Sequence, residues 1–98
     1  MSHLFRYLDV YNIDISKWDV SNVENMSYMF YWCQHFNCDL SNWDVSNVED
    51  MTNMFAFCRN FKGEGLENWK IDSLKNKDSM FYECNSLIKK PSWYNKII

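Results

Sequence analysis

Four cysteines, two histidines and a set of evenly spaced aspartates are the residues of this 98-residue chain with chemistry to offer. Cys33, His35 and Cys38 lie close together, and thiolate and imidazole are the ligands zinc prefers. His3 is the only other histidine, so a fourth ligand is missing locally, and Asn60 and Gly63 stand at the places 25 residues beyond His35 and Cys38. A Cys33–His35 nucleophile–base pair needs a third group to orient the imidazole, and residues two apart on a turn seldom converge. Asp14 with Asp39, and Asp19 with Asp44, offer carboxylate pairs of the kind hydrolases use at about 5–10 Å, or a calcium-binding ladder. A third member is absent from both sets, where Gly65 and Lys70 stand. Turn and capping hydrogen bonds account for these aspartates, and for Asn22 and Asn47, more simply. The expectation is a protein that is not an enzyme, with no catalytic residue, no cofactor and no metal. A zinc protein built on Cys33, His35 and Cys38 is the least favoured alternative.

What must position these residues is an internal repeat. Trp18, Trp43 and Trp69 are spaced by 25 and 26, as are Cys33, Cys58 and Cys84, and Phe30, Phe55 and Phe81. Residues 14–38 laid over 39–63 give 14 identities in 25 positions. A third copy, 64–88, carries one extra residue near Gly63-Glu64-Gly65 and then degenerates. Residues 1–13 form a partial copy. Residues 89–98 hold Pro91-Ser92-Trp93, the opening of another copy or a C-terminal cap. All five pieces make a single domain.

Within one copy the apolar period switches. Ser16-Lys17-Trp18-Asp19-Val20 alternates as a short strand does, with Trp18 and Val20 inward. Ser21-Asn22-Val23-Glu24 and Ser46-Asn47-Val48-Glu49 have the form of a helix capping box. Val23, Met26, Met29, Phe30 and Cys33 then share one face of a short helix, as do Val48, Met51, Met54, Phe55 and Cys58. No such coil buries its apolar face alone, so neighbours must stack, at about the 4.8 Å spacing of adjacent strands. Interior ladders of Trp18/Trp43/Trp69, Val20/Val45/Ile71, Phe30/Phe55/Phe81 and Cys33/Cys58/Cys84 are predicted. The laddered cysteines are reduced core thiols, since disulfide geometry is demanding.

Composition narrows the partners. The chain is 47% hydrophobic and 18% aromatic, which excludes disorder, and its net charge of −3 with scattered lysines argues against nucleic acid. No apolar run approaches the roughly 20 residues of a membrane span. The N-terminus lacks the layout of a signal peptide. Eight Lys against two Arg, with twelve Asn and two Gly, hint at an AT-rich genome.

Asp-Ile-Ser-Lys-Trp-Asp-Val-Ser-Asn-Val-Glu-Asn-Met-Ser-Tyr-Met-Phe from Asp14, followed by Cys33 and Phe36-Asn37, resembles the DUF285 (BspA-like) repeat family. The resemblance runs from about Phe5 to Leu87. Glu24 and Glu49 stand where the family often has Thr, and Lys70 replaces an Asp in the third copy. The resemblance implies a layout similar to leucine-rich repeats and a binding or surface-display role without enzymatic activity. It also implies sources such as mycoplasma surface lipoproteins, bacterial surface proteins and large DNA viruses of protists, the AT-rich signature favouring a viral one.

The fold expected is therefore an α/β chain, a short right-handed solenoid of coils of about 25 residues with a strand and a short helix each, or alternatively an all-β solenoid. The function expected is a protein-interaction or structural display module. Its partner-binding residues would be Lys17, Asp19, Asn42, Asp44, Asn68 and Lys70. The alternative is a self-assembling structural component, such as a minor part of a viral particle, packing through ends that carry no polar cap at Trp93, Tyr94, Ile97 and Ile98. Tyr28, Tyr31, Trp32, Phe57 and Tyr82 are aromatic residues left over from the predicted core.

Overall fold

A short pattern recurs along the chain: Asp or Asn, one apolar residue, then Ser or Thr. It occurs at Asp14-Ile15-Ser16, Asp19-Val20-Ser21, Asn25-Met26-Ser27, Asp39-Leu40-Ser41, Asp44-Val45-Ser46 and Asp50-Met51-Thr52. In the computed structural model, which describes residues 14–95, each of these triplets is an Asx turn. The side-chain Oδ1 of the first residue accepts the backbone N–H of the third at 2.9–3.1 Å. Bending the chain this way drives the middle residue inward, and Ile15, Val20, Met26, Leu40, Val45 and Met51 are all at most 1% exposed. A side-chain oxygen three bonds from Cα is what such a turn needs, and Asp and Asn supply it equally.

The segments expected as helices are chains of tight turns instead. Met29, Tyr31 and Cys33 donate to the carbonyls of Met26, Tyr28 and Phe30, three residues back. Met54, Ala56 and Cys58 repeat the pattern on Met51, Asn53 and Phe55, and Met80, Tyr82 and Cys84 repeat it on Lys77, Ser79 and Phe81. Tyr28, Trp32, Asn53, Phe57, Ser79 and Glu83 have positive φ, between 54° and 65°. Each is the third residue of its turn, where a type II turn takes a left-handed residue. A left-handed residue every fourth position forbids the continuous 5-to-1 bonding of an α-helix.

Amides that do not close turns point at the next segment. Met26, Tyr28, Phe30 and Trp32 donate to the carbonyls of Asp50, Thr52, Met54 and Ala56, and Met51, Asn53, Phe55 and Phe57 donate to Asn76, Asp78, Met80 and Tyr82, all at 2.8–3.0 Å. The remaining amides, of Ser27 and Thr52, are held by the Asx turns. Every N–H from 26 to 33 and from 51 to 58 thus has an acceptor, as burial requires. Segments 26–33, 51–58 and 77–84 form three layers joined in parallel.

This arrangement corrects the expected architecture. Among the described residues there are two isolated parallel bridges, Asn25 with Asp50 and Asp50 with Asn76, and two short 3-10 segments, Leu66–Asn68 and Ser92–Asn95. No sheet and no α-helix are present among them, so neither the strand-plus-helix solenoid nor its all-β alternative describes the chain. The expected capping boxes are not caps either, because the Ser21 and Ser46 hydroxyls donate to Asp19 and Asp44.

The core lies between the layers. Phe30, Phe55 and Phe81 stack face to face with centroids 5.5 and 5.8 Å apart, and Phe36 lies on Phe61 at 5.3 Å. Trp43, Trp69 and Trp93 stack at 6.5 and 6.3 Å. Trp18, expected inside this ladder, is 36% exposed, and Ile71 is half-buried. Gly65 marks the extra residue of the third segment. It has φ 87°, and a Cβ there would lie 2.3 Å from the Ser41 backbone nitrogen.

Candidate partner-binding face

The tryptophans are held by more than area. The Nε1–H groups of Trp43, Trp69 and Trp93 donate to the carbonyls of Ile15, Leu40 and Leu66 at 2.8–2.9 Å. The same three carbonyls also accept the backbone N–H of Trp18, Trp43 and Trp69, closing the turns of the preceding segment. A carbonyl oxygen has two lone pairs, and both are used. The cysteines copy the device. Cys58 and Cys84 donate their thiol hydrogens to the carbonyls of Phe30 and Phe55, which close the turns at Cys33 and Cys58.

All four cysteines are free thiols, with Cys33, Cys58 and Cys84 buried. Burial pushes the Cys58 thiol well up and the Cys84 thiol up to about 12. The zinc set does not come together: Cys33 is in the core, His35 is exposed, and Cys38 is half-buried with its Sγ 3.9 Å from Asp14 Oδ1. Among the described residues no three His, Cys, Asp or Glu side chains are grouped to hold a metal.

Anchoring Trp43 and Trp69 fixes the chain on either side of them, and there the structure opens a cleft of about 410 Å³. Asn42, Asp44, Asn68 and Lys70 line it, with Trp43 and Asp72. Four of the six residues predicted to bind a partner are therefore neighbours. Lys17 and Asp19 are exposed in the preceding segment and do not line the cleft. Asp19 still bears on it, because its charge opposes that of Asp44 while Lys70 favours it. Hydrogen bonds from the Ser46 side chain and backbone dominate, and they hold the Asp44 carboxyl below the usual aspartate range. Ser21 does the same for Asp19. The cleft thus presents the Asp44 carboxylate and the Lys70 side chain side by side, and the Trp43 that borders it is buried.

Sequence reasoning missed Ser46 and Asp72 as lining residues. They are equivalent positions, 26 apart, and the change from hydroxyl to carboxylate was the available signal. The side chain of Asn47, expected to bond its local turn, instead donates to the Ser21 carbonyl of the preceding segment. The leftover aromatics form one row, with Trp32 stacked on Phe57 at 4.4 Å and Tyr31 and Tyr82 edge-on to Phe57. Of the predicted end-packing residues, Trp93 is buried on Trp69 and Tyr94 is half-buried against Phe81. Ile97 and Ile98 lie outside the described residues.

The family model described as "Mycoplasma protein of unknown function, DUF285" matches residues 1–95. This chain belongs to the DUF285 family. No curated protein and no solved structure matches it. In this DUF285 chain the residues common to the copies include those that make turns, stacks and carbonyl contacts, while along the cleft Asn42 and Asn68 repeat and the pairs Asp44/Lys70 and Ser46/Asp72 differ. No helix among the described residues is long and apolar enough to cross a membrane.

Proposed function

We propose that the chain is a non-enzymatic module that binds a protein partner, or displays a binding surface, through the face bearing Asn42, Asp44, Asn68 and Lys70 and extended by Lys17 and Asp19. The observation that carries this reading is the cleft itself, a polar opening whose lining repeats at Asn42 and Asn68 and changes in charge at Asp44/Lys70 and Ser46/Asp72. Its charges favour a partner segment carrying both an acidic and a basic side chain. Such a face fixes orientation and selects partners more than it supplies raw affinity.

Photo-crosslinking amino acids placed at Asn42 and Asn68, against Asn60 and Ser86 as controls, test the reading. Adducts with one partner protein at the first pair, lost on the charge reversals Asp44→Lys and Lys70→Asp, are expected. Equal labelling at the controls, or indifference to charge reversal, would overturn it.

A further inference from the structure

The third layer repeats the donor pattern of the first two without the acceptors. Met26, Tyr28, Phe30 and Trp32 give their N–H groups to the second layer, and Met51, Asn53, Phe55 and Phe57 give theirs to the third. The equivalent groups of Lys77, Ser79, Phe81 and Glu83 donate to nothing among the described residues. Their turn partners Met80, Tyr82 and Cys84 are bonded, so the segment is held in the donor geometry. Exposed rows of unpaired amides are templates for another chain.

Both filled rows show what fits. In each, the acceptors are four carbonyls on alternate residues of a turn segment from this same sequence pattern. The equivalent first-layer carbonyls of Asn25, Ser27 and Met29 accept nothing among the described residues. We infer that the 77–83 edge is a docking edge for a second copy of this chain, which seats a turn segment on it in the register of the two internal joins. The partner's Asn25, Ser27 and Met29 carbonyls accept the N–H groups of Lys77, Ser79 and Phe81 in turn. Tyr94 lies against this edge now, its ring on Phe81 at 5.1 Å and its hydroxyl on the Lys77 carbonyl at 3.2 Å. Seating the second copy moves that ring aside. The inference concerns a surface separate from the polar cleft and stands or falls independently of it.

Sedimentation equilibrium on the 98-residue chain, paired with amide hydrogen exchange at each concentration, tests the proposal. Lys77→Pro deletes a donor that the folded chain does not use, and Lys77→Ala keeps the donor while removing the ammonium. Association of the parent chain and of Lys77→Ala is expected, with slowed exchange at Ser79 and Phe81 in the associated state. Lys77→Pro should raise the dissociation constant by about tenfold or more. A mass that stays monomeric to about 1 mM, in the affinity range where a contact ceases to matter, would overturn the proposal. So would association that leaves those amides exchanging as before, which places the contact elsewhere. Should Lys77→Pro fail to fold, the exchange comparison on the parent chain decides the matter.

Discussion

Trp69 shows how single residues tie one segment to the next. Its indole stacks between Trp43 and Trp93 and its Nε1–H fills the second lone pair of the Leu40 carbonyl. Trp69→Phe should cost about 1–3 kcal/mol in denaturant unfolding, the loss of a buried hydrogen bond plus some packing. A smaller loss than for Ile15→Val would show that the indole N–H contributes nothing. Cys84 follows the same logic, with a thiol raised to about 12 by burial. Thiolate is the reactive form, so at pH 8 Cys58 and Cys84 should resist a thiol reagent until the chain unfolds. The Asx-turn carboxylates set the acid response. Asp14, Asp19 and Asp44 are held low by their serine partners. A lowered folded pKa contributes stability above the ordinary aspartate range, and that stability is lost as pH falls through the folded pKa. The melting temperature should therefore drop below about pH 4. The double change Asp19→Asn and Asp44→Asn should flatten that drop, since Asn25 already makes the same turn without a charge.

At the scale of the element, the turn layer explains both what was legible in the sequence and what was not. The inward positions of Met26, Met29, Phe30 and Cys33 were read correctly, because one apolar residue every three or four positions points inward in either geometry. A helix and a run of tight turns share that period, so the pattern alone could not choose between them. The left-handed residues decide it, and Asn53 alone is of a type that favours that region: Tyr28, Trp32 and Phe57 are bulky residues that rarely adopt positive φ. The Asp-x-Ser triplets were the better signal: their aspartates were read as making turn and capping hydrogen bonds, while Ser21 and Ser46 were assigned to helix caps. Ser79 is exposed with φ 55°, so Ser79→Gly should stabilise the chain by up to about 1 kcal/mol, whereas Ser79→Val should destabilise it. Both are read from chemical denaturation. Gly65→Ala should lower stability by about 2 kcal/mol or more, because the methyl group meets Ser41 backbone as well as an unfavourable φ. A variant as stable as the parent would show that the backbone there yields freely.

Over the whole molecule, the proposed partner face depends on the layers without taking part in them. Asn42, Asn68 and Lys70 are exposed residues, so replacing them should leave the melting temperature within about 2 °C of the parent while changing partner capture. In the sequence this face stands out where equivalent positions change, Lys17 to Asn42 and Asp44 to Lys70, while the stacked residues repeat. The open donor row at 77–83 was invisible to it, since pairing of individual amides follows from three-dimensional register. Amide exchange in a dilute monomer tests the layered-turn architecture most directly. The account predicts slow exchange without interruption from Tyr28 to Cys33 and from Asn53 to Cys58. In the third layer it predicts alternation, with Met80, Tyr82 and Cys84 slow and Ser79, Phe81 and Glu83 fast. Uninterrupted slow exchange from Met80 to Cys84 in that monomer, as a helix would give, would contradict it.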